Sequence, residues 1–311
     1  MGIIDSKIEY EAENLDEIKE NLKNYGFTIV TNILTPEECS NLKNDTWKVF
    51  ENLTEFTREK IKREDNNSWS ELKAFNPEFG INFHCCGVGQ SEVMWKVRIN
   101  EKILKIFSFL WNSVPRDLLV SFDGFSFAKK QDNNSSFYRT EEDLNVNDFH
   151  TFQSFLTCEN ITENFSFFES SNKKEIRKCF NTFFKVYEEN KNILNNDFIN
   201  FFRTSCKEVK LKCPKGSLLI WDSRLIYNLE QSKINDLCGF YLSYYPRIKV
   251  REDVINNRIV AFTTMKTSDF VVKKINLYPD MPEEILGDYD MLFNKLEKPN
   301  IDDLSKKLIG Y

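Results

Sequence analysis

From residue 118 onward the chain consists largely of short apolar segments separated by turn-forming residues, and this pattern constrains the fold most. Strand-length segments rich in β-branched and aromatic residues, bounded by turn signals, are typical of all-β sandwiches and barrels. They occupy residues 118–127, 152–158, 166–169, 209–213, 217–221 and 239–245, and Gly124 is expected to interrupt the first of them. We therefore predict an α+β chain with a mainly β core, folded as a double-sheet jelly roll.

Helices are predicted to flank this core. Residues 14–17 have the spacing of a capping box before a helix that ends at Gly26, and a strand follows at 27–31. Thr35 starts a second helix as cap residue, with Pro at the next position and Glu38 at the box position. Residues 100–111 are amphipathic, and residues 174–204 indicate a helical insert between strands.

Charge and composition disfavour several classes of protein. The formal net charge of −6 argues against a chain-wide nucleic-acid surface. There is no apolar run of membrane-spanning length and no signal peptide, so we expect a cytoplasmic or nuclear protein that is not secreted. The eight cysteines are scattered, which indicates reduced thiols.

No linker or internal repeat divides the chain, so we predict one domain spanning residues 1–311. It would have a helical N-terminal part to about residue 115, a jelly-roll core over about 116–250, and a C-terminal extension over about 251–311.

One segment carries the most specific pattern: residues 213–224 read Cys-Pro-Lys-Gly-Ser-Leu-Leu-Ile-Trp-Asp-Ser-Arg. Before it come a glycine-rich stretch at 87–91 followed by Trp95 and Arg98, a Ser-Phe-Asp-Gly strand at 121–124, and residues 153–173. After it come residues 244–247 and 308–311. In this order the segments resemble the phytanoyl-CoA dioxygenase-like branch of the Fe(II)/2-oxoglutarate-dependent dioxygenases over nearly the whole chain.

The resemblance implies a double-stranded β-helix, also called a jelly-roll or cupin-like fold, with N-terminal helices and a helical insert. It also implies Fe(II) bound by two histidines and one carboxylate, with an open face for 2-oxoglutarate and oxygen. In this family an H-x-D motif and a histidine after the Trp-Asp-Ser-Arg turn supply the ligands. An arginine further on binds the far carboxylate of 2-oxoglutarate as a fork.

The chain departs from this ligand set. The second histidine falls at Tyr227, and a neutral phenol, with a reference pKa of about 10, is a poor Fe(II) ligand. The arginine falls near Cys238, whose thiol does not pair with a carboxylate. Both departures indicate that the iron and 2-oxoglutarate sites are degenerate.

The first ligand motif has two alignments. In one, which keeps residues 153–173 in register with the family, Arg139 and Glu141 replace the histidine and the aspartate, and a guanidinium cannot ligate iron. In the other, His150 keeps the histidine and Phe152 replaces the carboxylate. Arg139 is then interpreted either as a cation that replaces the metal and pairs with a nearby acid such as Glu141, or as a solvated side chain in a polar loop.

Four further residues are candidates for a pocket or turn. Asp222 and Arg224 flank the turn after a core strand, and we expect them to lock that turn rather than perform chemistry. Trp95 and Arg98 would line the former substrate mouth, although packing explains Trp95 equally well.

We therefore expect no catalytic residue, no metal and no cofactor, but a pseudoenzyme that binds a protein partner or itself in a regulatory or structural role. The abundance of Lys, Asn, Ile, Glu and Phe fits a large DNA virus, in which a virion component is one such role. The alternative is an active Fe(II)/2-oxoglutarate hydroxylase with an unusual ligand set, for example His150 with Asp148 or Glu141. A third hypothesis is that the former pocket binds another ligand without redox chemistry.

Overall fold

The apolar segment Phe27–Thr31 forms a strand that pairs with a strand far later in the chain. The computed structural model describes residues 9–75, 81–130, 138–140, 149–184, 194–230, 234–280 and 293–311. Its strands are β1 (Glu9–Glu11), β2 (Phe27–Thr31), β3 (Asn82–Phe83), β4 (Leu118–Val120), β5 (Phe125–Ala128), β6 (Tyr138–Arg139), β7 (Phe152–Thr157), β8 (Ile161–Phe168), β9 (Glu208–Cys213), β10 (Leu218–Asp222), β11 (Tyr227–Leu229) and β12 (Leu237–Pro246).

Helices precede, interrupt and follow these strands, so the chain is a mixed α/β protein. They are α1 (Leu15–Tyr25), α2 (Pro36–Leu53), α3 (Glu92–Arg98), α4 (Glu101–Trp111), α5 (Lys174–Phe183), α6 (Asn196–Ser205), α7 (Glu252–Thr263) and α8 (Asp303–Ile309). No helix within the described ranges is long and apolar enough to span a membrane.

The chain forms two compact units, each built from two separate stretches of sequence. The first unit comprises residues 1–33 and 129–237, and the second comprises residues 34–128 and 238–311. The predicted single domain stays a prediction.

The first unit contains two sets of paired strands. One set has the order β1-β2-β10-β7, in which β1 is parallel to β2 and the other pairs are antiparallel. The other set is a four-stranded antiparallel sheet with the order β6-β11-β8-β9. Helix α1 packs on β2 and β10 through Ile18 and Leu22, which lie on one helical face.

In the second unit β12 pairs with β4, and β5 pairs with β3, both antiparallel. The predicted strand at 118–127 is interrupted at Gly124, as expected, and its two parts are β4 and β5. A side chain at Gly124 would collide with the carbonyl oxygen of Phe83, so this close approach of two backbones requires glycine.

Of the two predicted helix caps, the one at α2 is confirmed and the one at α1 is not. At α2 the Thr35 side chain accepts from the backbone N–H of Glu38, and the Glu38 carboxylate accepts from the backbone N–H of Thr35, which completes the predicted capping box. Asn100 caps α4. At α1 the Asn14 side chain makes no capping hydrogen bond, because a turn that hydrogen-bonds Asn14 to Glu11 holds its backbone away from the extended conformation.

Candidate functional site

Aromatic rings from both sets of strands fill the interior of the first unit. Trp221 of β10 lies 5.8 Å from Phe165 and 5.7 Å from Phe167 of β8, measured between ring centroids. Tyr227 of β11 lies 5.3 Å from Trp221 and stacks on Phe165 at 5.6 Å. Each of the four side chains is at most 2 % exposed. Because aromatic pairs at these separations attract one another beyond their area burial, the rings join the two sets of strands in one core.

Arg139 places a positive charge against this aromatic core. It stands directly opposite Tyr227 in the antiparallel β6–β11 pair, so both side chains leave the sheet on the same face. Its guanidinium carbon lies 5.7 Å from the centroid of the Tyr227 ring, within the range of a cation–π contact. With 9 % exposure, Arg139 is a buried cation in a strand and not a solvated loop residue. Glu141, its proposed acidic neighbour, lies outside the described residues.

Arg139 and Tyr227 do not fit an Fe(II) ion. A guanidinium has no lone pair to donate, and the Tyr227 ring is held between other aromatic rings. Over the described part of the chain, no group of three or more His, Cys, Asp and Glu side chains is placed to hold a metal. These two positions therefore do not provide the family's iron ligands.

His150, the alternative first ligand, is half-buried and lies two residues before the start of β7. Two residues later, Phe152 stands opposite Asp222, whereas Gln153 stands opposite Trp221. Neighbouring residues of a strand point to opposite faces, so Phe152 points away from the aromatic interior and lines a surface cleft instead. Asp148, considered as a ligand together with His150, lies outside the described residues.

Cys238 lies in β12 and its side chain is fully buried. It belongs to the second unit, whereas Arg139 and Tyr227 belong to the first. The position predicted for the 2-oxoglutarate arginine thus holds a buried thiol, which offers no bidentate cation to a carboxylate.

Asp222 and Arg224 close the turn after β10. Arg224 donates through Nε to Oδ1 of Asp222 at 3.0 Å and through Nη2 to Oδ2 at 2.6 Å. The amide of Asn172 donates to Oδ2 at 3.0 Å, and the backbone N–H of Asp222 donates to the carbonyl of Gly26 at 2.8 Å. Through its carboxylate and its backbone N–H, Asp222 therefore joins this turn to two other segments of the first unit. The same two residues line an open cleft of about 920 Å³ with Phe149 and Phe152.

Trp95 and Arg98 are packed inside the second unit. Arg98 is fully buried and donates to the backbone carbonyls of Gly89 at 2.6 Å and Asp123 at 3.0 Å. Its guanidinium carbon lies 4.8 Å from the Trp95 ring centroid, and Trp95 Nε1 donates to Oε1 of Gln90 at 3.1 Å. Burial lowers the pKa of Arg98 to about 9, so the side chain is still a cation at neutral pH. These contacts hold the backbone of the glycine-rich stretch in place.

The sequence analysis did not find a polar pair in the aromatic interior. Gln153 of β7 is 3 % exposed and stands directly opposite Trp221, which is fully buried. Neither the side-chain oxygen of Gln153 nor the indole N–H of Trp221 has a hydrogen-bond partner among the described residues. We call Gln153, Trp221, Tyr227 and Arg139 the interior site. The signal that joins them is the strand register, which a single sequence does not give.

No protein-family model and no curated protein matches this chain. Among solved structures it is similar to GlcNAc Inducible Gene 2, GIG2 (DUF1479), from Candida albicans, with a TM-score of 0.54 and 12 % identity over 97 % of this chain and 83 % of that one.

Two proteins of nogalamycin biosynthesis show a weaker likeness. The non-heme alpha ketoglutarate dependent carbocyclase SnoK has a TM-score of 0.47 and 14 % identity, over 78 % of this chain and 87 % of its own. The epimerase SnoN, solved with Fe3+, alpha ketoglutarate and nogalamycin RO, has a TM-score of 0.48 and 8 % identity, over 76 % of this chain and 85 % of its own. Both TM-scores are below 0.5, so the fold assignment rests on GIG2. The chain therefore has a fold like that of GIG2, and at 12 % identity the likeness shows the fold alone.

Proposed function

We propose that this chain is a catalytically inactive member of the dioxygenase fold and acts by binding rather than by catalysis. The observation that supports this most is the contact between Arg139 and Tyr227. Their side chains meet at 5.7 Å inside the first unit, at the two positions where the resemblance expects iron-binding histidines.

The charge of Arg139 opposes a metal ion at this place. A divalent cation beside a buried guanidinium is repelled, and the repulsion is stronger in a low-dielectric interior than in water. Ligation by Tyr227 would also require its phenol to ionise at 2 % exposure, away from the water that stabilises a phenolate. A chain that kept iron here would have to overcome both effects.

We also assign the chain to the double-stranded β-helix type and to the phytanoyl-CoA dioxygenase-like branch. The supporting observations are the order of the matching segments and the aromatic core between the strand sets of the first unit. All eight cysteines are free thiols, which supports a reducing compartment such as the cytoplasm or nucleus. The partner would be another protein or a second copy of the chain.

The test is an Fe(II) titration of purified protein, followed by 2-oxoglutarate turnover measured as succinate release. We expect no stoichiometric iron binding and no succinate. Stoichiometric iron together with succinate release would overturn the proposal and favour a hydroxylase that uses an unusual ligand set, for example His150 with Asp148 or Glu141.

A variant with the family's ligands supplies the positive control. Arg139→His, Glu141→Asp and Tyr227→His, combined in one chain, would restore the ligand set that the resemblance expects. We expect this triple variant to bind Co(II) with the visible absorption of a coordinated ion, whereas the unsubstituted chain does not. Failure of the folded triple variant to bind Co(II) would mean that these three positions do not converge on one site, which would remove the support that Arg139 and Tyr227 give to the proposal.

A further inference from the structure

The open cleft of about 920 Å³ in the first unit lies outside the aromatic interior. Phe152 lines it and points away from that interior, since the next residue, Gln153, stands opposite Trp221. Helix α1, the start of α5 and the turn after β10 supply the rest of the lining, and all of them belong to the first unit. The cleft has room for a small organic molecule, because pockets for such ligands measure about 300–1,000 Å³.

Two phenylalanine rings form an aromatic wall of this cleft. The ring centroids of Phe149 and Phe152 are 4.7 Å apart, and Phe149 is 39 % exposed. The guanidinium carbon of Arg224 lies 5.7 Å from the Phe149 centroid, and the fork to Asp222 holds that guanidinium in place. The wall is therefore positioned by the fold itself, and its exposed ring offers a surface on which another flat ring packs.

Lysines gather where α1 ends and α5 begins. Lys173 donates through Nζ to the backbone carbonyl of Lys23 at 2.6 Å, which joins the last turn of α1 to the start of α5. Lys23 and Lys174 line the cleft at this end, and both are exposed. Lys173 is also the N-cap residue of α5, and its ammonium group accepts no hydrogen bond from the N–H groups of the first turn. We call Lys23, Lys173 and Lys174 the cationic end of the cleft.

Carboxylates limit the charge that the cleft accommodates. Apart from the fork after β10, the lining contributes four ammonium groups and three carboxylates, the latter from Asp16, Glu20 and Glu175. Because the two signs nearly balance, a ligand with one negative charge is favoured over a phosphate dianion. The buried polar floor also has capacity left: Asn172 lines the cleft at 6 % exposure, and its side-chain oxygen has no hydrogen-bond partner among the described residues.

We propose that this cleft binds a small aromatic monocarboxylic acid. The ring of the ligand packs on Phe149 and Phe152, and its carboxylate lies at the cationic end beside Lys23 and Lys174. The inference goes beyond the proposed function and does not depend on it, because the cleft lies outside the interior that contains Arg139 and Tyr227.

The test separates the contribution of the charge from that of the ring. The full chain is titrated with phenylacetate, phenylacetamide and cyclohexylacetate by ligand-detected NMR in the presence of EDTA. Phenylacetamide keeps the ring and loses the charge, whereas cyclohexylacetate keeps the charge and loses the aromaticity. We expect phenylacetate to bind about threefold more tightly than either, since an exposed ion pair and an aromatic contact each account for such a difference.

Two variants assign these preferences to the cleft. The double substitution of Lys23→Gln and Lys174→Gln removes two cations, so the preference for phenylacetate over phenylacetamide should disappear. Phe149→Ala removes the exposed ring, so the preference for phenylacetate over cyclohexylacetate should disappear.

Matched controls carry the same substitutions outside the cleft. Lys178→Gln together with Lys215→Gln removes two exposed lysines of the first unit, and Phe183→Ala removes a phenylalanine that is 71 % exposed. Neither control should change the two preferences. Far-ultraviolet circular dichroism verifies that each variant is folded.

The inference fails if phenylacetate does not bind the unsubstituted chain, if it binds no better than phenylacetamide and cyclohexylacetate, or if the preferences survive in the cleft variants. Each of these results leaves the proposed function standing, because that function is decided by the iron titration and by succinate release. Conversely, stoichiometric iron and succinate release would overturn the proposed function and leave the binding preferences of the cleft unaffected.

Discussion

Arg139 faces Tyr227 across the β6–β11 pair, with its guanidinium carbon 5.7 Å from the ring centroid. We expect this contact to contribute a coupling free energy of about 1–2 kcal/mol, because a partly desolvated cation on an aromatic face reaches that range. The measurement is a double-mutant cycle of Arg139→Met with Tyr227→Leu, followed by urea unfolding.

Tyr227→Phe is the matched control for this cycle, since it keeps the ring and removes the hydroxyl group. Its coupling with Arg139→Met should be close to zero. An equal coupling for Phe and Leu would mean that the hydroxyl group, and not the ring, carries the interaction.

The two buried glutamines are expected to respond differently to the same substitution. Gln90→Leu leaves the N–H of Trp95 and the carbonyl of Lys266 without their partner, so we expect a loss of about 1–3 kcal/mol in the free energy of unfolding. Gln153→Leu removes a group without a hydrogen-bond partner among the described residues, so the loss should be below about 1 kcal/mol. Chemical denaturation of the two variants side by side provides the comparison, and equal losses would show that Gln153 is satisfied in solution.

Two Asp–Arg forks of nearly equal geometry differ in burial. Arg224 binds Asp222 at 3.0 and 2.6 Å with the aspartate side chain 7 % exposed, whereas Arg251 binds Asp253 at 3.0 and 2.7 Å with the aspartate side chain 61 % exposed. Breaking a buried pair leaves an uncompensated charge, so Asp222→Ala should destabilise the chain by about 3 kcal/mol or more.

Asp253→Ala removes the exposed fork and should leave the denaturation midpoint unchanged, because solvent screens such a pair. Thermal unfolding of both variants at low and high salt tests this contrast. A midpoint for Asp222→Ala that matches the unsubstituted chain would contradict the role of Asp222 in locking its turn.

Alkaline stability should depend on Tyr138. Burial, and then its hydrogen bond to the Glu208 carboxylate, raise the pKa of this phenol to about 12. The unfolded phenol ionises near pH 10, so between about pH 10 and 12 the unfolded state binds fewer protons than the folded state. Stability therefore falls as pH rises through this window, by up to about 1.4 kcal/mol per pH unit for this group.

Tyr138→Phe should reduce this slope, which is measured as the free energy of unfolding in urea at several pH values between 9 and 11.5. An unchanged slope would assign the alkaline loss of stability to other buried groups, such as Tyr244, whose pKa burial also raises.

Signals that involve only a few consecutive residues predicted where particular helices and strands begin or end. The capping box of Thr35 and Glu38 located the start of α2, and Gly124 located the break between β4 and β5. Helix α3 was not predicted, because Val93, Met94, Trp95, Val97 and Arg98 are all buried and leave the helix without the polar face that an amphipathic pattern needs. The periodicity of the side chains therefore predicts helices that face water better than helices enclosed by the protein.

Individual residues of the candidate site could be predicted from the sequence, but the contacts between them could not. Tyr227 and Arg139 were found from the resemblance, but their contact depends on the β6–β11 register. The pairing of Gln153 with Trp221 likewise depends on the register between β7 and β10, which lie far apart in the chain. Register between distant strands is set by tertiary packing, so no local pattern in the sequence contains it.

The pairing of β2 with β10 has a consequence for biosynthesis. Phe27, Ile29 and Val30 are fully buried in the finished protein, yet their antiparallel partners at 218–221 are translated far later. At about 5–20 residues per second, the ribosome needs on the order of tens of seconds to reach them. During this interval the nascent chain presents an apolar strand with open edges, which readily pairs with other chains. We expect the growing polypeptide to depend on a chaperone that shields this segment until β10 has emerged.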